Sequence, residues 1–94
     1  MRRGTTPKLT FTTDFDWTGY TVQLTLEEND TELVFEGDRL SVDKGTVEVT
    51  LTQEETLMFT KKAQAQIKAK LGSVVVATDI SSIPVLPILN EEVM

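Results

Sequence analysis

The chain of 94 residues carries 9 Lys and Arg against 15 Asp and Glu, a formal net charge of −6, and it contains no Cys and no His. That composition excludes disulfide and thiol chemistry, the common zinc ligand sets, a Ser-His-Asp triad and the usual general base near neutral pH. It also argues against a nucleic-acid backbone as partner, because such binding runs on clustered Lys and Arg.

A chain of this length is expected to form a single domain over residues 1–94. It can bury roughly 60–70% of its unfolded surface, enough for a core without covalent staples. The opening Met1-Arg2-Arg3-Gly4-Thr5-Thr6-Pro7 is positive, but no apolar run follows it. No secretory signal is therefore expected. No stretch approaches the ~18 apolar residues of a membrane span, so no membrane partner is expected. Synthesis in the cytoplasm without a signal peptide fits this, and a protein built into a virion carries no signal either. Thr recurs from Thr5 to Thr78. Its branched β-carbon suits the solvated face of a sheet.

In chain order, Lys8 to Thr12 alternates, with Leu9 and Phe11 on one face, the period of a half-buried strand. Thr13 to Gly19 breaks the pattern with Asp14, Asp16 and Gly19 around Phe15 and Trp17. Tyr20 to Glu27 is the clearest strand, with Tyr20, Val22, Leu24 and Leu26 facing one way. Glu28-Asn29-Asp30 turns the chain into a return strand over Thr31 to Glu36, carrying Leu33 and Phe35 inward. After a turn at Gly37-Asp38-Arg39, Leu40 to Val42 alternates. Asp43-Lys44-Gly45 supplies a hairpin loop, with Gly45 expected to hold a positive φ. The next strand, Thr46 to Leu51, points Val47, Val49 and Leu51 inward.

The stretch Leu51 to Leu71 has two readings. Thr52 followed by Glu55 is a capping-box pattern that starts a helix. Continued to Gly72, that helix has an apolar stripe of Phe59, Ala63, Ile67 and Leu71, which makes the fold α+β with a helix at 53–71. Stopped near Phe59, it hands over to a strand in which Ala63, Ala65, Ile67, Ala69 and Leu71 alternate with Gln64, Gln66, Lys68 and Lys70. A helix has no need of that alternation, and small alanines leave room for Trp17, Phe11 or Phe35 across a sandwich. The second reading is favoured: an all-β, immunoglobulin-like antiparallel sandwich of about seven strands with one helical turn near 53–59.

Gly72-Ser73 suits a two-residue hairpin turn. Val74-Val75-Val76 is apolar on both faces, as in a strand buried on both sides or one covering a partner chain. The segment Ile83, Pro84, Val85, Leu86, Pro87, Ile88 and Leu89 is extended. Its prolines place it on an edge or outside the sheet, and it is the candidate interaction segment.

No constellation carries chemistry. Asp14 to Gly19 resembles the start of a calcium loop, but Thr25 stands where the closing Glu belongs. The pairs Glu27-Glu28, Glu54-Glu55 and Glu91-Glu92 diverge as neighbours and read as solvated surface. Trp17 and Tyr20 read as core before they read as a ligand platform. No catalytic residue, cofactor site or metal site is expected, and the chain is not expected to be an enzyme.

The opening Arg2 to Pro7, the central Val49 to Phe59, the Ala65-Gln66-Ile67-Lys68 strand and the late Ala77-Thr78-Asp79-Ile80 resemble small proteins encoded in phages and prophages of Gram-positive gut bacteria, usually near tail or baseplate genes. The likeness covers most of the chain in order. The layout is also similar to the immunoglobulin-like N-terminal domain of phage baseplate upper proteins. None of these motifs is catalytic, so no functional residue transfers. The resemblance implies a non-enzymatic structural or assembly protein, tail- or baseplate-associated, that contacts itself or other phage structural proteins, with a homo-oligomer expected. The alternative is a host-surface or carbohydrate-binding module of the same fold.

Overall fold

The computed structural model describes residues 1–94. Eight strands form: β1 (Lys8–Thr12), β2 (Thr21–Glu28), β3 (Thr31–Glu36), β4 (Leu40–Asp43), β5 (Thr46–Thr50), β6 (Lys62–Leu71), β7 (Val74–Ala77) and β8 (Ser81–Pro84). A five-residue helix, α1 (Gln53–Leu57), joins β5 to β6, and a 3-10 turn spans Gly37–Arg39. The strands make two antiparallel sheets, one ordered β1-β5-β4 and the other β3-β2-β6-β7, with β8 also paired to β6. In immunoglobulin lettering these are B-E-D and C′-C-F-G, a sandwich of the expected class.

β7 and β8 lie end to end on the same edge of β6. Lys68 pairs with Ala77 and Ala65 pairs with Ser81. Three steps along β6 thus match four along the edge, the signature of a β-bulge. Thr78 fills it: its backbone N–H donates to the Ile67 carbonyl at 2.9 Å, and its Oγ1 accepts from the Ile67 N–H at 3.0 Å. Counted as lanes, the two sheets hold seven.

The alternating residues meet between the sheets. Val22, Leu24 and Leu26 of β2, Phe35 of β3, Val47 and Val49 of β5, and Ala63, Ala65, Ile67 and Ala69 of β6 are all buried, joined by Trp17, Leu51, Phe59 and Val85. Leu71, the last residue of β6, ends the alternation outside the core at 48% exposure. The four alanines share this cluster with the large side chains of Trp17, Phe35 and Phe59.

The stretch that admitted two readings is a short helix followed by a strand. Thr52 Oγ1 accepts from the Glu55 N–H at 3.2 Å, and the Glu55 carboxylate accepts from the Thr52 N–H at 2.8 Å, so the capping box closes reciprocally. Leu51 before the helix and Phe59 after it are both fully buried. Thr56, also buried, donates to the Thr5 and Gln53 carbonyls and accepts from the Thr5 N–H. This leaves no buried polar side-chain atom of the corner unsatisfied.

One turn differs from expectation. In the β4–β5 hairpin the positive φ belongs to Lys44, at 50°, and not to Gly45. Gly45 is there for space: a β-carbon on it would lie 2.5 Å from the Thr13 carbonyl oxygen. The Thr13 N–H donates to the Gly45 carbonyl at 2.8 Å, and the Trp17 N–H donates to the Lys44 carbonyl at 2.9 Å. The Asp14–Gly19 loop is therefore clamped on this hairpin. Gly72, by contrast, has the positive φ of 60° expected at the first central position of its turn.

Cavity and cap contributions separate in magnitude. Phe59→Ala is expected to destabilise the domain by about 3–5 kcal/mol, and Thr52→Ala by about 1 kcal/mol. Urea denaturation followed by tryptophan fluorescence reads both. Equal costs would show that the corner is held by its cap and not by its buried aromatic.

Candidate functional site

Exposed apolar side chains gather along one sheet edge. Val74 and Val75 are each 53% exposed and Ile80, at the bulge, 61%; Leu71 stands beside them. Of the two readings of this strand, burial on both faces is corrected by the exposure of Val74 and Val75, and β7 is the last strand of its sheet. Register places the side chains. Val75 lies opposite Lys70 and Ala77 opposite Lys68 on the solvent face, while Val76 lies opposite buried Ala69 on the core face.

The other edges carry charge or lack a donor. β3 carries Glu32 and Glu36, both exposed, around Val34. β8 has the bulge before it and ends on Pro84, which has no N–H to offer. In the smaller sheet β1 carries Lys8 and β4 carries Asp43. β7 alone is apolar at every position, Val74-Val75-Val76-Ala77.

The C-terminal candidate segment is spread over its own domain. Ile83 is half-buried opposite Ala63, Val85 is buried, Ile88 is half-buried, and Pro84, Leu86, Pro87 and Leu89 are exposed. The Val85 N–H donates to the Lys61 carbonyl at 2.9 Å, and the Arg3 N–H donates to the Leu86 carbonyl at 3.0 Å. Arg2 and Leu86 form a parallel bridge. Arg3 is the anchor that sequence patterning missed. Its guanidinium donates to the carbonyls of Leu57, the last residue of α1, and Phe59 just past it, and pairs with the Glu91 carboxylate. An Arg in a flexible-looking opening gives no periodic signal, and its partners lie more than fifty residues away.

The aromatic platform does not form. Trp17 is 2% exposed, and its indole N–H donates to Thr13 Oγ1 at 3.0 Å. Phe15 packs on it with ring centroids 4.6 Å apart and meets half-buried Tyr20 edge-on at 5.2 Å. The Asp16 carboxylate accepts from the Thr18 N–H. Those hydrogen bonds from Thr18 hold its pKa below the ordinary value. No group of three or more acidic side chains is placed to share a cation.

The paired glutamates separate into structural roles. Glu28 turns onto the start of β6, where its carboxylate accepts from the backbone N–H groups of Lys62, Thr60 and Lys61 and from the Thr60 hydroxyl, at 2.7 to 3.2 Å. Those bonds, Lys62 first, pull its pKa from the ordinary 4.5 down to about 2. Glu27, its neighbour, is exposed. Burial pushes the Glu55 carboxyl up, but hydrogen bonds from Arg39 and Thr52 outweigh that and hold it below the ordinary value. Arg39 grips it with two donors, at 2.7 and 3.1 Å, and lies over the Phe35 ring. The groove between Glu27, Glu28, Asn29, Lys61, Lys62 and Gln64, of about 510 Å³, has no apolar wall. Small-molecule sites are built mainly from apolar walls with a few polar groups. No helix is long and apolar enough to cross a membrane.

Because the folded pKa of Glu28 lies below its unfolded value, its contribution to stability is complete above about pH 4.5 and is lost as the pH falls to about 2. Glu28→Gln is expected to be less stable than the parent at pH 7, with a gap that closes between pH 4.5 and 2. Chemical denaturation at pH 7, 4 and 2.5 measures it, and a gap independent of pH would rule out the carboxylate as its source. Arg3→Met is expected to expose residues 85–94 to limited proteolysis while β6 stays protected. Digestion followed by mass spectrometry reads the cut sites; an unchanged pattern would show that Val85 alone anchors the segment. Comparison with family models, with curated proteins and with solved structures finds no match for the chain.

Proposed function

We propose that this chain is a non-enzymatic structural or assembly component of a phage or prophage particle, tail- or baseplate-associated, working through protein–protein contacts. The observation that carries the reading is the β7 edge, where Leu71, Val74, Val75 and Ile80 present apolar surface beside a row of unpaired backbone groups. An edge of this kind is a template for strand addition. The likeness of its Arg2–Pro7, Val49–Phe59 and Ala77–Ile80 stretches to phage-encoded proteins supplies the particle context. The carbohydrate-binding alternative needs exposed aromatics; Trp17 lies in the core and Tyr20 is half-buried, which leaves it the weaker reading.

Purified particles induced from a strain that encodes the chain test this reading. The chain is expected to co-sediment with tail-containing particles and to be identified in them by mass spectrometry. Recovery only in the particle-free fraction, with intact tails formed in a deletion strain, would overturn it.

A further inference from the structure

We propose that the β7 edge takes the β3 edge of a second copy of this chain, so that the five-stranded sheets join head to tail. The inference rests on the reading that the sandwich works through protein contacts, and it names the partner of that edge.

Direction and register both permit it. Within the sheet every neighbouring pair is antiparallel, so β7 runs antiparallel to β3, and a second copy in the same orientation extends the sheet with the same alternation. The hairpins that close at Leu71/Val74 and Glu28/Thr31 have two-residue loops, whose closing pairs exchange hydrogen bonds. Val74 and Val76 therefore turn their backbone groups to β6, and Val75 and Ala77 turn theirs outward. By the same count Glu32, Val34 and Glu36 present theirs at the β3 edge. Setting Val75 opposite Val34 of the second copy joins outward groups to outward groups, and Ala77 then meets Glu32.

Chemistry fits that register. On the solvent face Val75 meets Val34, itself 45% exposed. Lys68 and Glu32 of the second copy flank small Ala77, about 9–10 Å apart at the backbone by two strand spacings, within reach of two long side chains. On the core face Val74 falls opposite Phe35 and Val76 opposite Leu33. Asp79 lies past the end of β7, outside this ladder. A symmetric β7–β7 pairing brings Lys68 and Lys70 from both copies to one face with no acid between them, and a β3–β3 pairing does the same with Glu32 and Glu36. In a chain of net charge −6, the basic pair beside an apolar edge selects the acidic edge. Such a contact is heterologous: a joined pair keeps one free β3 and one free β7, so growth is open-ended or closes as a ring.

Sedimentation velocity over a concentration series tests this. The wild-type chain is expected to sediment faster with concentration, past the dimer, without a plateau at two copies. Val75→Lys and Val34→Lys each block one edge at an exposed position and are expected to be monomeric alone. Mixed, they are expected to form a species of two chains and nothing larger. Glu32→Lys and Lys68→Glu supply a second arm, each losing association alone and regaining it in the mixture. Cooperative thermal melts establish that all four variants fold. A wild-type chain that stays monomeric overturns the proposal, as do dimers of Val34→Lys alone, the mark of symmetric β7 pairing. Association that survives Val75→Lys overturns it too. A monomeric chain that is nonetheless found in tail-containing particles sinks the self-pairing and leaves the proposed function standing, whereas a self-associating chain absent from particles does the reverse.

Discussion

The capping box at Thr52 and Glu55 takes the chain from one sheet to the other, and the rest of the sandwich depends on where that helix stops. Five residues suffice because both ends are fixed by something else. Leu51 and Phe59, on either side, are drawn into the same core, and the Arg39 guanidinium holds Glu55 in place from the 3-10 turn. Isolated helices of this length do not persist in water, since nucleation is unfavourable. Here the nucleus is held by tertiary anchors, and the alternating run from Ala63 onward is released to pair with β2 as a strand.

Once β6 is a strand it has two neighbours to find. β2 takes one side along nearly its full length. The other side is taken by an edge strand that the bulge at Thr78 breaks into β7 and β8. The break matters because it divides protection unevenly: the β8 half is ended by Pro84, and the β7 half carries only apolar side chains. The opposite edge of the same sheet, β3, is acidic. One sheet thus ends in two unlike edges, an asymmetry that isolated strands would not reveal.

The terminal segments are bound by polar contacts more than by area. Arg3 satisfies carbonyls at and just beyond the C-terminus of α1, where a helix of any length lacks internal donors. Glu28 does the complementary task at the start of β6, accepting from three successive backbone N–H groups. Both side chains stabilise ends of elements, and both lie far in sequence from what they hold.

Local chemistry by itself determined β1 to β6, the capping box and most of the inward residues, because alternation and capping are written in spacings of two and three residues. β2 and β3 and the buried faces of β5 and β6 follow from that pattern with shifts of a residue at most. What only the tertiary structure decided depends on which element stands next to which. Val74-Val75-Val76 reads as buried on both sides or covering a partner until its lane proves to be the last in the sheet, with Val74 and Val75 exposed. Gly45 reads as a positive-φ turn until Thr13 is found pressed against it. Arg3 and Glu28 look like solvated charge, since no local spacing points to partners thirty or more residues away. Exposure is a property of neighbours, and neighbours of this kind are set by the order of strands in the sheet.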